Sequence, residues 1–582
     1  MTPSCGFPCA NMAVAGSVSA DGALFATLQT TPGRIRAGLE ASTGGALVIE
    51  AGGASFAVQD CAVRRVERRW PFVEMTLADP RLGGRHLEVL AFAPLRVGDA
   101  GEDSALPALL VRIRVRTGAI GGAKPACTLR WQGATAGWTA AWRAGDLRSD
   151  GPACPVAAGG RHELWLCLAH HDPEGLAARR FVDAAAVAAH ALAGAEGLLA
   201  ATRHLEQRLP VSGRPVIDEA LRWNAGAAVM LTRLHRDGAV LTMGYKELNQ
   251  RDSFWTSFLH LLLWPELDRR MIEESIAAQR ADGKIPTCIL PTIERDVDID
   301  INAYFVLRAV RHLAEHPDPA LAAAWLPPVL RACAFLEGLD DDGLGLPRQR
   351  TFWGDWKDVQ GVAARTYAPH ACLITAAAWR QAGRLAATTG AVGEADRLEA
   401  LARRAEAACD RPFDEGGLWN GRCYQQRWAD GRDDGVLLLD QTIAGLFGVI
   451  APQRLALVWR ELDARAATPF GPSETVPWYP ASFGYEPGHY HNGGVWPWLS
   501  YADAWCRLAR GDAEGGAAQL AAVAWADLHR HGDCLPHEYL AADDGASCGF
   551  PIQGWDACFV AAVHYGWRGL AAPTVSLPGA QP

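Results

Sequence analysis

Two tryptophans and two aspartates share the seven-residue segment FWGDWKD, residues 352–358. The flat apolar faces of Trp353 and Trp356 can stack on the C–H face of a pyranose ring. The same apolar walls disfavour the charged form of a carboxyl group, so they would keep Asp355 protonated near neutral pH. A general acid that cleaves a glycoside needs such a protonated carboxyl group. The segment predicts carbohydrate chemistry, with Asp355 as the acid and Asp358 as its rival.

Glycoside cleavage also needs an ionised carboxylate, which activates water or attacks the anomeric carbon. Glu538 is the predicted base because it lies in the segment PHEYLAADDG, where His537 and Tyr539 give it polar neighbours. Glu474, in GPSETVPWYP, is a weaker rival for this role. Lys357, in the first segment, is predicted to orient or tune the acid.

Several further side chains are suited to holding sugar hydroxyl groups. Arg251 presents a rigid fork of donors close to Trp255. Asp252 and Ser253 are predicted to cap the helix that follows them, and Asp300 is placed to favour the amino terminus of another helix. The predicted substrate-binding residues are Arg251, Asp252, Trp255, Asp300, Trp353, Trp356, Lys357, Asp358, His491, Asn492, Trp496, Gln553 and Trp555.

Other chemistries find no support in the sequence. His489 and His491 are two residues apart, without the third ligand that a zinc motif would supply. The sequence lacks a nucleophile elbow, a G-x-x-x-x-G-K-S/T loop and a G-x-G-x-x-G segment after a strand. We therefore predict no metal and no cofactor, and we exclude acyl transfer and nucleotide chemistry.

The charge and composition of the chain favour a neutral ligand. Its 582 residues carry a formal net charge of -10, from 55 Lys and Arg against 65 Asp and Glu. Nucleic-acid-binding proteins gather Lys and Arg into a basic face, and no basic run occurs here. The 22 tryptophans against 10 tyrosines are a surplus. The expected partner is a small carbohydrate or glycoside and not a nucleic acid, and the oligomeric state is left open.

The cysteines and the amino terminus indicate a compartment. The 15 cysteines are odd in number and scattered, which is typical of buried free thiols in a reducing environment. The opening MTPSCGFPCANM lacks the basic and apolar regions of a secretory signal. No uninterrupted apolar run approaches the length of about 18 residues that indicates a membrane span. We expect a soluble, cytoplasmic protein without a membrane partner.

The apolar pattern divides the chain into segments. Residues 1–171 carry short apolar stretches about ten residues apart with turn signals between them, which predicts an N-terminal β-sandwich domain. Residues 172–214 are alanine-rich and are predicted to form a helical linker. From 215 to 570 the apolar period is 3.6, which predicts a mainly α catalytic domain, and 571–582 form a tail. The predicted helices are 217–235, 253–264, 268–280, 300–315, 320–337, 368–388, 392–409, 440–449, 452–463, 494–510, 514–531 and 555–569.

Twelve helices in pairs predict an (α/α)6 toroid, in which six inner helices surround a pit and six outer helices cover them. The alternative is a helical solenoid, but no fixed repeat of about 30–45 residues occurs. The segments QRDSFW, FWGDWKD, HYHNGGVWPW and PHEY each lie at or just before a predicted helix start. We therefore expect them around one rim of the toroid.

Five motifs in order, between about residue 244 and 568, resemble the catalytic domain of the glycogen-debranching amylo-1,6-glucosidases. More widely they are similar to the (α/α)6 glycosidases, which include glucoamylase, trehalase and the processing α-glucosidases. The motifs are QRDSFWTSFLHLLLWPE, DGKIP with DIDINAYFVLRAV, FWGDWKD, HYHNGGVWPW and PHEYLAADDG. The resemblance aligns Asp355 with the general acid of that family and Glu538 with its base. It implies an inverting mechanism that removes one sugar at a time from a non-reducing end.

Two departures from the family pattern bear on the substrate. The segment that reads D-A-S-L-W-F in the family has Tyr304 where the family has a sugar-facing tryptophan. The general acid of the family is followed by a small residue, whereas Asp355 is followed by the bulky Trp356. A narrow site of this kind predicts a small glycoside in place of a branched polymer.

The leading hypothesis is an exo-acting, inverting glycoside hydrolase for an α-glucosidic or related small glycoside. An alternative is a phosphate-dependent disaccharide phosphorylase of similar architecture, because the D-W-N-D motif of those enzymes resembles residues 355–358. In that mechanism phosphate replaces water and no Glu base is required, so Glu538 favours the hydrolase. A third hypothesis is a sugar-binding protein without activity, which would require both carboxylates to be accidental.

Overall fold

The computed structural model divides the chain into two compact units. The first comprises Met1–Leu209, Glu219–Lys246 and Gly532–Leu535, and the second comprises Pro210–Asp218, Glu247–His531 and Pro536–Pro582. The residues that the structure describes are 9–10, 14–18, 24–28, 42–51, 53–96, 104–117, 127–133, 138–144, 147–149, 153–156, 162–173, 175–234, 240–242, 249–289, 298–340, 342–349, 356–357, 365–428, 430–433, 435–531, 534–550 and 552–574.

Strands dominate the described part of the first unit. They are β1 Cys9–Ala10, β2 Val14–Val18, β3 Leu24–Leu28, β4 Ser42–Ala51, β5 Ala54–Ala57, β6 Val63–Arg69, β7 Phe72–Ala78, β8 Arg85–Phe92, β9 Ala108–Thr117, β10 Cys127–Gly133, β11 Trp138–Ala144, β12 Leu147–Ser149, β13 Ala153–Val156 and β14 His162–His170. One antiparallel sheet has the order β1-β2-β3-β4-β10-β13, with β5 also paired to β4. The other has the order β12-β11-β14-β9-β8-β7-β6. A separate hairpin pairs β15 Thr232–Leu234 with β16 Val240–Thr242.

One apolar core contains side chains from both sheets. Ile49 and Leu129 face each other across β4 and β10, and Met75 and Val89 face each other across β7 and β8. All four belong to this core, because alternate residues of a strand lie on the same face of the sheet. The strands predicted for the amino-terminal part of the chain are therefore present and pack through one apolar face.

Two helices cover the other face of the second sheet. They are α1 Ala184–Ala193 and α2 Ala195–Arg208, in the segment predicted as a linker. Asp183 caps α1 by accepting the backbone N–H of Ala186 at 2.7 Å. A second apolar core joins α1 residues such as Val187 to Phe92 and Trp165 of the sheet. Both helices belong to the first compact unit, which continues to Leu209.

Helices make up most of the second unit. They are α4 Gln250–Leu263, α5 Pro265–Ala277, α6 Asp300–Glu315, α7 Pro319–Glu337, α8 Pro369–Thr388, α9 Val392–Asp410, α10 Pro452–Arg465, α11 Pro497–Arg510, α12 Ala513–Ala524 and α13 Cys558–His564. Helix α3 Pro215–Leu231 has residues 215–218 in the second unit and 219–231 in the first. A 3-10 segment spans Leu439–Phe447. Short strands pair in the loops, namely β17 Arg365–Tyr367, β18 Arg427–Trp428, β19 Leu437–Leu438, β20 Ala467–Thr468, β21 Gly471–Pro472, β22 Thr475–Val476, β23 Tyr539–Leu540 and β24 Ser547–Cys548.

Six segments of the described chain form a closed ring. Helix α4 contacts α6, α6 contacts α8, and α8 contacts the 3-10 segment Leu439–Phe447. That segment contacts α11, α11 contacts α13, and α13 returns to α4. Further helices pack outside it: α5 on α4 and α6, α7 on α6 and α8, α9 on α8, α10 on the 3-10 segment, and α12 on α11. The second unit is thus helical, and five of the six ring members, all but α13, contact a further helix that follows them in sequence.

The helices predicted from the 3.6-residue period are confirmed in position. Most of their bounds differ by no more than a few residues from those of α3 to α13. Three segments differ in kind. The helix predicted over 514–531 is α-helical only to Ala524 and continues as a π-helix over Trp525–His529. Residues 439–447 form a 3-10 helix, and the region predicted as one helix over 555–569 contains 3-10 turns on both sides of α13.

Helix α7 is the one helix in the described ranges that is long and apolar enough to cross a membrane by itself. It also contacts α6 and α8 along the ring. A core helix of a soluble protein passes the same test of length and composition, so this helix is weak evidence for a membrane span.

Candidate active site

The amino-terminal ends of ring helices bring predicted site residues together. Arg251 lies in the first turn of α4, and Asp300 is the first residue of α6. His370 lies in the first turn of α8, and Trp498 lies in the first turn of α11. Arg251 binds Asp300, His370 lies 3.9 Å from Asp300, and Trp255 of α4 contacts Trp498. These four helix starts therefore meet at one end of the ring.

A buried ion pair joins α4 to α6 at this end. Arg251 donates from Nε and Nη2 to the two carboxylate oxygens of Asp300, both at 2.8 Å. A second carboxylate, that of Asp298, lies 3.6 Å from Nη2. Burial alone would lower the pKa of Arg251, but the charges of Asp300 and Asp298 raise it well above its usual value. Two residues predicted to contact sugar are thus bound to each other, and their contact with a sugar stays a prediction.

The start of α4 differs from the sequence-based expectation. The helix begins at Gln250, and Asn249 caps it by accepting the Arg251 backbone N–H at 3.1 Å. The prediction that Asp252 and Ser253 cap this helix is wrong, because both lie inside its first turn. Asp252 is buried there. Its predicted role in substrate binding stays a prediction.

Five buried tryptophans form a contiguous group, here called the tryptophan cluster: Trp255, Trp356, Trp496, Trp498 and Trp555. Trp356 contacts Trp496 and Trp498 edge-on, at ring-centroid distances of 5.3 and 5.1 Å. Trp498 also contacts Trp255 at 5.3 Å and Trp555 at 6.2 Å. Aromatic pairs with this geometry attract each other. All members except Trp498 were predicted to contact sugar, and the structure brings them together.

The buried carboxylate of Asp440 holds the residues that follow Asp355. Its Oδ2 accepts a hydrogen bond from Trp356 Nε1 at 2.9 Å and a charged one from Lys357 Nζ. Asp440 is the second residue of the 3-10 segment, in the sequence LLLDQTIAG. Sequence reasoning missed it. The available signal was a single aspartate in an apolar run, because a buried carboxylate requires a partner.

Glu474 and His491 form a second buried polar pair. Glu474 Oε2 lies 3.3 Å from His491 Nδ1. The His491 ring stacks on Trp496 at a centroid distance of 4.4 Å with the planes 2° apart. It also meets Trp356 edge-on at 4.7 Å. Glu474, the rival for the base, therefore contacts the tryptophan cluster through His491.

Glu538 directly precedes the short hairpin of β23 and β24. Its backbone N–H donates to the Phe550 carbonyl at 3.0 Å, and its Oε2 accepts the Phe550 N–H at 2.8 Å. A Cβ atom at Gly549 would lie 2.3 Å from Oε2, and Gly549 has a φ of +72°, so this position requires glycine. Tyr539 contacts Trp496 at 5.6 Å. The hairpin thus places Glu538 next to a residue that packs on the tryptophan cluster.

Two further buried carboxyl groups support this region. Asp527 accepts the backbone N–H of His537 at 2.9 Å and the hydroxyl of Tyr501 at 3.3 Å, so it holds the residue that precedes Glu538. Neither carboxyl oxygen of Asp556 has a hydrogen-bond partner within the described part of the chain. Burial raises the pKa of Asp556 well above its usual value, and the neighbouring Asp527 adds to this. We expect Asp556 to hold a proton at neutral pH.

The D556N variant should lose part of the pH dependence of stability. The folded state keeps a proton on Asp556 that the unfolded chain releases above a pKa of about 4, so wild-type stability falls as the pH rises. Asparagine carries no such proton. The difference between the thermal midpoints at about pH 5 and about pH 9 should therefore shrink by about 1 °C or more. The variant D414N, at an exposed aspartate, is the control and should keep the wild-type difference. A D556N protein that behaves like this control would contradict the protonated state.

Asn492 shapes the loop that leads to α11. Its Oδ1 accepts the Tyr479 N–H at 2.6 Å, and its Nδ2 donates to the carbonyls of Tyr479 and Tyr485 at 2.9 and 2.7 Å. These bonds occupy the amide that we predicted to contact a sugar. Gln553, by contrast, is buried with no hydrogen-bond partner for its Nε2 in the part of the chain that the structure describes. The predicted contact of Gln553 with a sugar stays a prediction.

Three predicted site residues lie outside the described residues: Trp353, Asp355 and Asp358. Their neighbours Trp356 and Lys357 are described, and both are buried against the site. The assignments of the acid and of its rival are therefore still predictions from the sequence.

The cysteines and the possible metal ligands also bear on the chemistry of the site. The 13 cysteines from Cys61 to Cys558 whose side chains the structure describes are free thiols and most are buried, which confirms that part of the sequence-based interpretation. Burial raises the pKa of the Cys333 thiol to about 12, so this thiol stays protonated and unreactive. Across the ranges that the structure describes, no group of three or more His, Cys, Asp and Glu side chains is arranged to hold a metal ion.

The fold is similar to that of a solved glycosidase. A bacterial glucoamylase complexed with acarbose is similar to this chain with a TM-score of 0.54 and 12% sequence identity, over 98% of this chain and 94% of that chain. Its likeness fits a helical toroid, in agreement with the ring of helices in the second unit. At this identity the likeness shows the fold alone.

Two further solved structures are also glycoside hydrolases. A rhamnosidase of glycoside hydrolase family 78 from a Bacillus species has a TM-score of 0.47 and 14% identity, over 82% of this chain and 46% of that chain. A mannosylglycerate hydrolase of glycoside hydrolase family 63 from Thermus thermophilus, in complex with glucose, has a TM-score of 0.43 and 18% identity, over 55% of this chain and 92% of that chain. No family model matches the sequence, and no curated protein matches it. At the level of the fold, the likeness to the glucoamylase confirms the resemblance to the (α/α)6 glycoside hydrolases that the motifs predicted.

Proposed function

We propose that the protein is an inverting, exo-acting glycoside hydrolase that cleaves an α-glucosidic or related small glycoside. The observation that carries the proposal is the meeting of the tryptophan cluster with two buried acidic side chains, Asp440 directly and Glu474 through His491. Tyr539, the residue that follows Glu538, packs on the same cluster. Aromatic faces stack on sugar rings, and carboxyl groups supply the acid and base that hydrolysis needs. The glucoamylase fold supports the same class of activity.

The proposed architecture is an (α/α)6 toroid preceded by a β-sandwich. The closed ring with its outer helices supports a toroid over about 215–570. The core between two sheets supports a sandwich over 1–171. We keep 172–214 as a helical linker and 571–582 as a tail in this proposal.

Asp355 is the proposed acid, which protonates the leaving-group oxygen. It precedes Trp356, whose indole lies in the tryptophan cluster, and apolar surroundings favour the neutral carboxyl form. Glu538 is the proposed base, which activates a water on the opposite face of the sugar. Its carboxylate accepts the Phe550 N–H, and a donor of this kind favours the charged form that a base requires.

The burial of the aromatic walls supports a small substrate. Trp356 is 6% exposed and Trp496 is 2% exposed, so their faces are not open to a polymer on the surface. We propose that the site takes one terminal sugar, as an exo-acting enzyme requires. We also propose a cytoplasmic location, because the described cysteines are free thiols.

A panel of α- and β-glycosides with product analysis tests the proposal. We expect release of a monosaccharide from at least one small α-glucoside, without added phosphate or metal. Proton NMR of the first minutes of reaction should show the β-anomer as the first product, because inversion at the anomeric carbon turns an α-linkage into a β-sugar. Turnover that depends on phosphate would favour a phosphorylase, and binding without turnover would favour a sugar-binding protein. Either result would reject the proposed hydrolase.

A further inference from the structure

Trp478 is a partly exposed tryptophan in the loop that joins α10 to α11. It is 39% exposed, whereas each member of the tryptophan cluster is at most 7% exposed. The loop ends at α11, whose first turn carries Trp498 of that cluster. Because the amino-terminal end of α11 lies at the proposed site, the loop leads directly to it. An aromatic surface is therefore open to solvent in a loop that reaches the proposed site.

Contacts within the loop hold the indole of Trp478 in place. Its Nε1 donates to Ser473 Oγ at 3.1 Å. A Cβ atom at Gly493 would collide with Cδ1 of the indole, and one at Gly488 would lie 3.3 Å from Cη2. The backbone of these two glycines therefore lies against the five-membered and the six-membered ring. Because the indole is already held, a ligand that stacks on its exposed part would cost little conformational entropy.

Tyr539 connects this position to the proposed site. A Cβ atom at Gly494 would lie 2.9 Å from Tyr539 Cδ2, so the consecutive residues Gly493 and Gly494 contact Trp478 and Tyr539 respectively. Consecutive Cα atoms are about 3.8 Å apart. The Tyr539 ring in turn stacks on Trp496 of the tryptophan cluster, with the ring centroids 5.6 Å apart and the planes 27° apart. Aromatic side chains thus continue from the buried cluster to the neighbourhood of Trp478.

The exposure of the aromatic side chains increases along this path. Trp496 is 2% exposed, Tyr490 and Tyr539 are partly buried, and Trp478 is the most exposed of the four. Tyr490 contacts Trp496 at a centroid distance of 5.2 Å and Tyr539 at 5.6 Å. The path therefore has a buried end at the tryptophan cluster and an exposed end at Trp478.

The two ends of this path match the two parts of a glycoside. An exo-acting enzyme removes the terminal sugar, which fits the buried end because no further unit is attached to its non-reducing side. The leaving group carries the rest of the substrate, so it must lie towards solvent. When the leaving group is a sugar, its pyranose ring can offer a C–H face to an indole. Trp478 is the tryptophan at the exposed end.

We propose that Trp478 forms a leaving-group site, in which its indole stacks on the pyranose ring that follows the scissile bond. The inference rests on the proposed function, and it narrows the substrate to glycosides whose leaving group is a second sugar. Trp478 contributes to binding alone and takes no part in proton transfer.

The W478A variant tests the proposal with two substrates that share a terminal sugar. Maltose has glucose as its leaving group, and methyl α-glucoside has only a methyl group to lose. We expect W478A to raise KM for maltose by about 10-fold, because stacking removes apolar surface from water, and to keep kcat within about threefold. For methyl α-glucoside, kcat/KM should stay within about twofold. Equal losses with both substrates, or no loss with either, would overturn the proposal.

Two matched controls accompany W478A. W478F keeps an aromatic face, so its KM for maltose should rise by no more than about threefold. W525A removes another tryptophan, which is 52% exposed at the start of the π-helix Trp525–His529, and should leave the kinetics with both substrates unchanged. If W525A loses as much affinity for maltose as W478A, the effect is not specific to the proposed site and the site is rejected.

A measurement without turnover decides the matter if W478A does not fold. In the E538Q variant, iodide quenches the fluorescence of exposed tryptophans, and saturating maltose should protect part of this fluorescence. Methyl α-glucoside should not give this protection, and the double variant E538Q/W478F should lack it with maltose as well. Maltose that binds E538Q without protecting any fluorescence beyond that protected by methyl α-glucoside would contradict stacking on Trp478.

The substrate pair also separates this inference from the proposed function. If the wild type prefers another terminal sugar, the disaccharide and the methyl glycoside of that sugar replace maltose and methyl α-glucoside. A wild type that cleaves no glycoside of the panel would reject the proposed function, and the leaving-group site with it. An active wild type whose W478A variant treats both substrates alike keeps the function and loses the leaving-group site.

Discussion

The variants D355N and E538Q should each lower kcat by about 10² to 10⁴-fold while leaving the fold unchanged. Asparagine at 355 cannot protonate the leaving-group oxygen, and glutamine at 538 cannot take a proton from water. Both replacements keep the size of the side chain, and in E538Q the new amide oxygen can still accept the Phe550 N–H. The measurements are kcat with the best glycoside of the panel, and circular dichroism with thermal unfolding to verify the fold.

Matched controls come from the two rivals for these roles. D358N removes the other aspartate of the FWGDWKD segment, and E474Q removes the buried carboxylate that pairs with His491. We expect each to retain at least about a tenth of the wild-type kcat, because neither performs a proton transfer in the proposed mechanism. If D358N loses activity and D355N keeps it, the general acid is Asp358 and not Asp355. The same pattern for E474Q and E538Q would move the base to Glu474.

The helical half of the fold could be predicted from the sequence because its helices are long and periodic. The α8 helix, for example, runs over Pro369–Thr388, and the apolar period placed it at 368–388. The buried face of a helix repeats every 3.6 residues, whichever element it packs against. The position of such a helix can therefore be predicted from its own segment of the sequence. The order of contacts around the ring is not local. It depends on which helix starts meet, and the sequence supported it only through the count of helices.

The site was partly predictable for a related reason. Tryptophans and carboxylates with unusual neighbours can be recognised in the sequence as candidate site residues. Four tryptophans predicted in this way lie in one cluster in the structure, namely Trp255, Trp356, Trp496 and Trp555. Contacts between residues that are far apart in the chain cannot be recognised in this way. Asp440 lies 84 residues from Trp356 and belongs to an apolar run, so nothing local indicated that it binds the indole.

The same limit explains two differences at α4. Asn249 caps the helix instead of Asp252, because several neighbouring residues are good caps and tertiary packing chooses among them. Arg251 binds Asp300, which is 49 residues further along the chain, so its donors are turned to a carboxylate of the protein. A sugar contact for Arg251 would have to share or replace these hydrogen bonds.

The variant R251M should be strongly destabilised. It leaves the carboxylates of Asp300 and Asp298 in a buried position without the guanidinium that balances them. Removing one partner of a buried ion pair costs about 3–5 kcal/mol. Trp255 lies one turn along the same helix, so tryptophan fluorescence during unfolding in urea reports the change.

The destabilisation caused by R251M should be larger at high pH than at low pH. Without Arg251, burial raises the pKa of the two aspartates above the unfolded value of about 4, so the folded state binds more protons than the unfolded chain. The destabilisation is then largest above pH of about 6 and becomes smaller towards about pH 4, where protonation removes the buried charges.

The control R397M breaks a half-exposed pair with Glu337 and Glu394 and should cost at most about 1 kcal/mol at either pH. If R251M lowers the free energy of unfolding by no more than R397M does, the ion pair of Arg251 with Asp300 does not contribute much to the stability of the fold. A loss that is equal at both pH values would show that packing, and not charge, sets the cost of losing Arg251.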